Sequence, residues 1–424
     1  MRLFSAKLPS RVNMADAFIT LHKNDEYAFF LDREHNPDNA FSVIGGSSGV
    51  LGAGESKQYL DSLDGIEDVS LPFDFRPGLV GAISYEGEQF FLPVDRALVL
   101  DHKGGNLYFL GFFETEAEFQ HWEQAALLRL ALIGGERANY LFAHPESEPG
   151  ALSLRHSDAE YLKLIENCKE HIAKGDAYQL CLTNQITVET ANDPFAVYLK
   201  LRSSNPAPYS SFIRIGQVSL VSSSPEQFLR VTGDVVSTKP IKGTRPRGTD
   251  PESDKALALE LVNNEKERAE NLMIVDLMRN DLGKVSEPSD VVVSKLFDVE
   301  SYATVHQLVS TVSAVLKPGL GVFDAVAACF PAGIMTGAPK LRAIEILQGL
   351  EASPRGIYSG CFGYISFTGS ADLAMTIRTI VFEEGLATIG IGGGITIDSV
   401  ATEELAETKL KARALLQALG SLVA

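Results

Sequence analysis

Apolar residues along positions 1–150 come in short runs, alternating or continuous, broken by glycine, proline and aspartate. That period predicts strands separated by turns, at 26–31, 41–44, 79–85, 97–100 and 107–113. A helix is predicted over 114–132, where Phe119, Trp122, Ala126 and Leu130 fall on one stripe. From 134 to 157 the chain turns polar and reads as a linker. It divides a strand-rich part, 1–150, a candidate effector or partner region, from a second part, 151–424.

In the second part Ser157 and Asp158 cap a helix whose residues Tyr161, Leu162, Ile165, Cys168 and Ile172 recur at helical spacing, ending at Lys174 and Gly175. Residues 177–188 alternate as a strand, and further strands are expected at 211–215, 218–222 and 228–231. Pro240 and Pro246, with Gly243 and Gly248, frame Lys242, Arg245 and Arg247 as a rigid basic loop. A helical stretch over 252–282 is interrupted near Asn263 and Asn264. Strands at 291–297 and 306–316, a helix at 339–350 with Pro339 in its first turn, strands at 360–367, 373–382 and 387–391, and a closing helix over 402–419 complete the pattern. Strands punctuated by helices, without strict βαβ alternation, predict an α+β fold with antiparallel sheets.

Composition narrows the partners. With 424 residues, 45% of them apolar, the chain has ample core for roughly two to three domains. A net charge of −18 argues against nucleic acid and against an anionic membrane, so an anionic ligand needs a local basic cluster. Residues 1–23 hold no apolar run of signal length, and no segment reaches the ~18 apolar residues of a membrane span. A cytoplasmic protein is expected. Cys168, Cys181, Cys329 and Cys361 lack CxxC spacing and read as core residues, neither disulfides nor a zinc site.

Glu267 and Glu270 lie three apart on a predicted helix, and Glu404 and Glu407 repeat the spacing on the last one, with Lys411 a turn further on. Two such pairs facing each other make an oxygen-rich site for a hard divalent cation; solvated faces carrying local ion pairs are the competing reading. Gly392, Gly393 and Gly394 follow a strand, as an anion-binding backbone or simply a tight turn. Thr336 to Lys340 opens a helix without P-loop spacing. Arg378 sits in an apolar strand, where it calls for either an anionic ligand or a structural salt bridge. No cysteine has the setting of an amidotransferase nucleophile, so glutamine, if it supplies nitrogen, must be hydrolysed by another chain.

Taken in order, several stretches resemble the chorismate-utilising enzymes over 158–419: Gly175-Asp176-Ala177-Tyr178-Gln179, Ser224-Pro225-Glu226, 240–244, 268–281, 330–340, Thr376-Ile377-Arg378-Thr379, 392–395 and 404–411. A looser match runs through Phe30-Leu31-Asp32, Gly78-Leu79-Val80-Gly81 and Tyr85-Glu86. The resemblance implies an α+β body in which the two parts of the chain each give one sheet, packed face to face with helices outside. It implies chorismate as substrate, its ring carboxylate on Mg²⁺ held by Glu270 and Glu407, with Glu267 and Glu404 as a second pair. Arg378, Tyr358 and the backbone of Gly393 and Gly394 are similar to the family's contacts with the pyruvyl carboxylate. Gly243, Thr244, Thr336, Gly337 and Lys411 complete the implied substrate-binding set.

Glu226 matches the acid that protonates the departing 4-hydroxyl. Lys242 resembles the lysine of the members that aminate C4, where members aminating C2 usually carry alanine. The resemblance implies that its amine adds at C2 as the 4-hydroxyl leaves, and that ammonia then attacks C4 and expels it. Gln179 stands where water-using members place a lysine base, a job glutamine cannot do. One departure is Gln307, with His306 one residue earlier, where the family commonly has histidine before Leu-Val-Ser. C4 amination with ammonia from a separate glutamine amidotransferase is thus the first expectation. C2 amination is the alternative, and a non-catalytic subunit binding chorismate or an aromatic amino acid is the third.

Overall fold

The structure, a computed structural model, describes residues 1–10, 12–148, 150–302 and 305–421; Pro149, within the expected linker, lies outside them. Among the described residues two antiparallel sheets, of twelve and nine strands, carry the molecule, with Leu152–Leu154 and Val292–Ser301 attached off the main paths to Gln179–Glu189 and Val305–Val315. The larger runs from Arg2–Pro9 through Asn106–Phe113, Arg96–Asp101, Phe41–Gly46 and Tyr27–Asp32 into Tyr209–Ile215, Val218–Ser224, Thr379–Glu383, Leu386–Ile395, Gln179–Glu189 and Gly337–Ala338. The smaller joins Ile241–Pro246, Val305–Val315, Val235–Thr238, Gln227–Thr232, Ala371–Met375, Cys361–Ser366, Gly78–Ile83 and Gln89–Val94.

Each sheet therefore mixes both parts of the chain, which corrects the expectation of one sheet per part. Tyr27–Asp32 bonds to Tyr209–Ile215, and Gly78–Ile83 to Cys361–Ser366. Side-chain alternation explains why. Phe29 and Leu31 of Tyr27–Asp32 point into the core between the sheets, while Phe30 lies under the helices on the outer face. A strand apolar on both faces belongs inside a sheet, not at its edge. Against the outer face of the larger sheet pack helices Met14–His22, Glu116–Leu130, Pro194–Ser204 and Ala401–Ala418. Glu265–Leu282 and Val322–Cys329 cover the smaller sheet. Among the described residues no helix is long and apolar enough to cross a membrane.

Four local readings change. The segment expected as a basic loop is an edge strand, Ile241–Pro246, on Val305–Val315; the register shifts between Ile241 and Thr244, where Gly243 takes a φ of 81°. Proline is tolerated at an edge because no ladder N–H is required of it. The three glycines 392–394 lie within strand Leu386–Ile395, paired to Thr183, Leu182 and Cys181, and are not a turn. The strand expected over 373–382 is two strands in different sheets, and Arg378 sits at the crossover with a φ of 52°. Helix Glu136–Ala143 occupies much of the expected linker, anchored by buried Tyr140, whose hydroxyl donates to Asp193 at 3.0 Å. The break at Asn264 falls as expected: its side chain accepts the Glu267 N–H at 3.1 Å and caps Glu265–Leu282.

Candidate active site

A cleft of about 900 Å³ opens beside Ile241–Pro246, floored by the glycine strand and flanked by helices Glu265–Leu282 and Ala401–Ala418. A second cavity of about 910 Å³, between Tyr59, Trp122 and Arg129, is as large, so chemistry and not size singles out the first. Glu226, Lys242, Gly243, Thr244, Glu267, Glu270, Tyr358, Arg378, Gly393, Gly394, Glu404, Glu407 and Lys411 all line it.

Glu226 follows Pro225 at the turn between Val218–Ser224 and Gln227–Thr232, and it is 6% exposed. Its carbonyl accepts the Met375 N–H at 3.0 Å, and its Oε1 accepts the Ile241 N–H at 3.1 Å. Burial pushes its pKa up to about 7, against the opposing pull of that N–H and of Lys242. It can therefore hold a proton near neutrality and release it. The Lys242 amine stands 4.0 Å from Glu270 Oε2.

The two helices bring their carboxylates to the same cleft. On Glu265–Leu282, Glu267 and Glu270 stand one turn before buried Asn271 and Ile274 on the same side of the helix, so the face that packs on the sheet runs on into the cleft; on Ala401–Ala418, Glu404 and Glu407 likewise stand on the side that carries buried Thr408 and Leu415 further along. Glu267 pairs with Arg245 at 3.3 Å, Glu404 Oε1 accepts from Ser399 Oγ at 2.7 Å, and Glu407 pairs with Lys411 at 2.8 Å. Burial raises the Glu270 pKa. Burial opposes ionisation of Glu407 too, but Lys411 outweighs it and the pKa is lowered. These oxygens suit a hard cation that takes one or two carboxylates and completes its shell with water and ligand. Among the described residues no three acidic, histidine or cysteine side chains close into a full cage.

Across the cleft, Arg378 donates to the Lys411 carbonyl at 3.1 Å and, among the described residues, has no carboxylate partner. Its desolvated guanidinium has a lowered pKa, as expected of a cation awaiting an anion. Lys411 Nζ also donates to the Gly392 carbonyl at 2.8 Å. The glycine strand has a packing reason: a Cβ on Gly390 would lie 2.0 Å from the Tyr358 ring, and one on Gly394 2.5 Å from Gln179 Nε2.

Gln179, Thr336 and Gly337 stand behind the cleft wall. Gly337 pairs with Leu180, Thr336 donates to the carbonyls of Ala332 and Gly333, and buried Gln179 keeps both amide atoms without a partner beneath Gly394. The helix expected from Pro339 begins at Lys340, with Pro339 as its cap residue, and the Lys340 amine is bound to Asp281 and the Cys329 carbonyl. Sequence reasoning passed over Lys266, Tyr302, Asn205 and Cys181, which also line the cleft. Only Lys266, one turn from Glu270, carried a signal. Gln307 faces the cleft, whereas His306 turns away to Ser301 and Asp254, as strand alternation requires.

The family model for chorismate binding enzymes matches residues 58–417, and the chain belongs to that family. An aminodeoxychorismate synthase of Streptomyces griseus is 40% identical over 99% of this chain and 64% of that protein. The anthranilate synthase component 1 of Thermus thermophilus is 46% identical over 61% of this chain and 56% of its own length. The crystal structure of anthranilate synthase component I from Streptococcus pneumoniae superposes with a TM-score of 0.76 at 27% identity, covering 97% of this chain and 92% of that one. The chain thus spans under two thirds of the length of the Streptomyces relative.

Proposed function

We propose that the chain converts chorismate and ammonia to 4-amino-4-deoxychorismate. The observation that carries this reading is the Lys242 amine at the cleft, 4.0 Å from Glu270, on the strand whose Ile241 N–H binds the proton-holding Glu226. Arg378 and Tyr358 bind the pyruvyl carboxylate, and Lys411 holds the floor of the cleft in place through Gly392. Lys242 forms a bond to C2 of the ring while the C4–O bond breaks, and Glu226 gives the departing hydroxyl the proton that makes it water. Ammonia then bonds to C4, the electron pairs shift back, and the Lys242 amine leaves C2. The one proton that ammonia sheds on becoming the C4 amine returns to Glu226, and the Lys242 amine leaves as it came. Glu270 and Glu407, with Glu267 and Glu404 behind them, would hold Mg²⁺, which supplies charge neutralisation for the ring carboxylate when bound. A separate glutamine-hydrolysing chain as the ammonia source and a cytoplasmic setting belong to the same proposal.

The Thermus relative favours a second reading, amination at C2 to anthranilate. Purified protein incubated with chorismate, a magnesium salt and an ammonium salt separates the two: 4-amino-4-deoxychorismate is expected without any lyase, and anthranilate would overturn the proposal. In the same assay Lys242→Ala is expected to lose C4 amination by at least ~10²-fold or to divert nitrogen to C2. Unchanged 4-amino product would remove the lysine from the mechanism.

A further inference from the structure

Lys242 enters the cleft directly after one peptide group that is held at both ends. The Pro240 carbonyl accepts from Ser310 N at 3.2 Å and from Asn271 Nδ2 at 3.4 Å. The N–H of that same peptide unit, Ile241's, donates to Glu226 Oε1 at 3.1 Å. Asn271 is fully buried on the carboxylate-bearing helix; its Oδ1 accepts from Ser310 Oγ at 2.5 Å, and Ser310 Oγ accepts from Phe297 N at 3.1 Å. Neither side chain lines the cleft. Asparagine is a poor helix former and a costly group to bury, so its place in mid-helix answers to something other than helix stability.

We propose that Asn271 and Ser310 are positioning residues for the amination: through the Pro240–Ile241 peptide they set where Lys242 stands and how readily Glu226 parts with its proton. The inference rests on the C4 reading. A donor on the carbonyl oxygen polarises the amide and makes its N–H a stronger donor to the Glu226 carboxylate. Without it the carboxylate is less stabilised and Glu226 keeps its proton to higher pH. The charged group facing Glu226 is Lys242; Ser224, Ile241 and Met375 contact it through neutral groups.

The test compares Asn271→Leu, which keeps the branched shape and deletes the amide, Ser310→Ala, which frees the amide to turn, and Ser310→Thr, which keeps the hydroxyl. With chorismate, magnesium chloride and saturating ammonium chloride, kcat is expected to fall about tenfold or more in the first two while KM for chorismate stays within about twofold. Their high-pH limb, where Glu226 loses its proton, is expected to move up by about half a pH unit, and Ser310→Thr to restore both. An unmoved limb in Asn271→Leu and Ser310→Ala, or activity lost only in proportion to a lower Tm, would overturn the proposal. A parent protein that makes no 4-amino product would instead sink the functional reading, and the limb measured on whatever product forms would still judge the peptide coupling.

Discussion

The fold holds the proton of Glu226 up to about pH 7, and above that stability carries the cost. Its native pKa, about 7, lies above the ordinary 4.5, so the native state binds its proton more tightly than the unfolded chain does. That contribution is complete below about pH 4.5 and is lost as pH rises through about 7, a difference of about 3 kcal/mol. Glu226→Gln, neutral at every pH, is expected to melt above the parent at about pH 8 and together with it near pH 4, by calorimetry. The same variant is expected to lose about 10² or more in kcat, since amide nitrogen cannot protonate a leaving hydroxyl. A Tm difference that does not depend on pH would show that the acid is ionised in the native state. Residues of this kind were the most legible in the sequence, because Glu226, Lys242 and the two carboxylate pairs stand in short, spaced motifs. Gln179 was legible as a residue type but not as a place: its side chain runs under Gly394, and only the pairing of two strands far apart in sequence puts it there.

At the scale of single elements, the glycine strand separates packing from recognition. On Gly390 a Cβ would fall inside the Tyr358 ring, whereas on Gly393 the nearest atom is the mobile end of Glu404, 3.3 Å away. Gly390→Ala is therefore expected to displace Tyr358 and raise KM for chorismate about tenfold, and Gly393→Ala to change it by less than about threefold. Equal effects in steady-state kinetics would refute a fitted wall behind Tyr358. Helices with strong caps were readable, as Ser157 and Asn264 show. Ile241–Pro246 was not, because its prolines and glycines spell a loop locally, and it becomes a strand only through pairing with Val305–Val315. Arg378 was misread for the opposite reason: apolar neighbours on both sides hid a crossover between sheets.

In the whole molecule every residue proposed for chemistry lies in 151–424, yet that part does not own its sheets. Without residues 1–150, Cys361–Ser366 loses Gly78–Ile83 and Tyr209–Ile215 loses Tyr27–Asp32, leaving the buried Phe362, Tyr364 and Ile213 without cover. The fragment 151–424 is expected to be insoluble on expression, and a soluble, active fragment would contradict this architecture. In the full chain, Trp122 is the single tryptophan and reports on the first part, while turnover reports on the second. Their urea midpoints are expected to coincide. An α+β class was visible in the spacing of strands and helices, but the weaving of the two sheets was not, since no local pattern states which distant strand a given strand will meet.

That weaving also governs how the protein is made. Ile83 finds its partner in Cys361, far along the chain. At ordinary rates of translation the earlier strand waits on the order of tens of seconds on the ribosome before its neighbour exists. Through that interval the edge of Gly78–Ile83 that Cys361–Ser366 will take stays open, and Leu79 and Ile83, which pack mostly among residues of the second part, stay uncovered, so the nascent first third is a natural client for chaperones before any substrate is met.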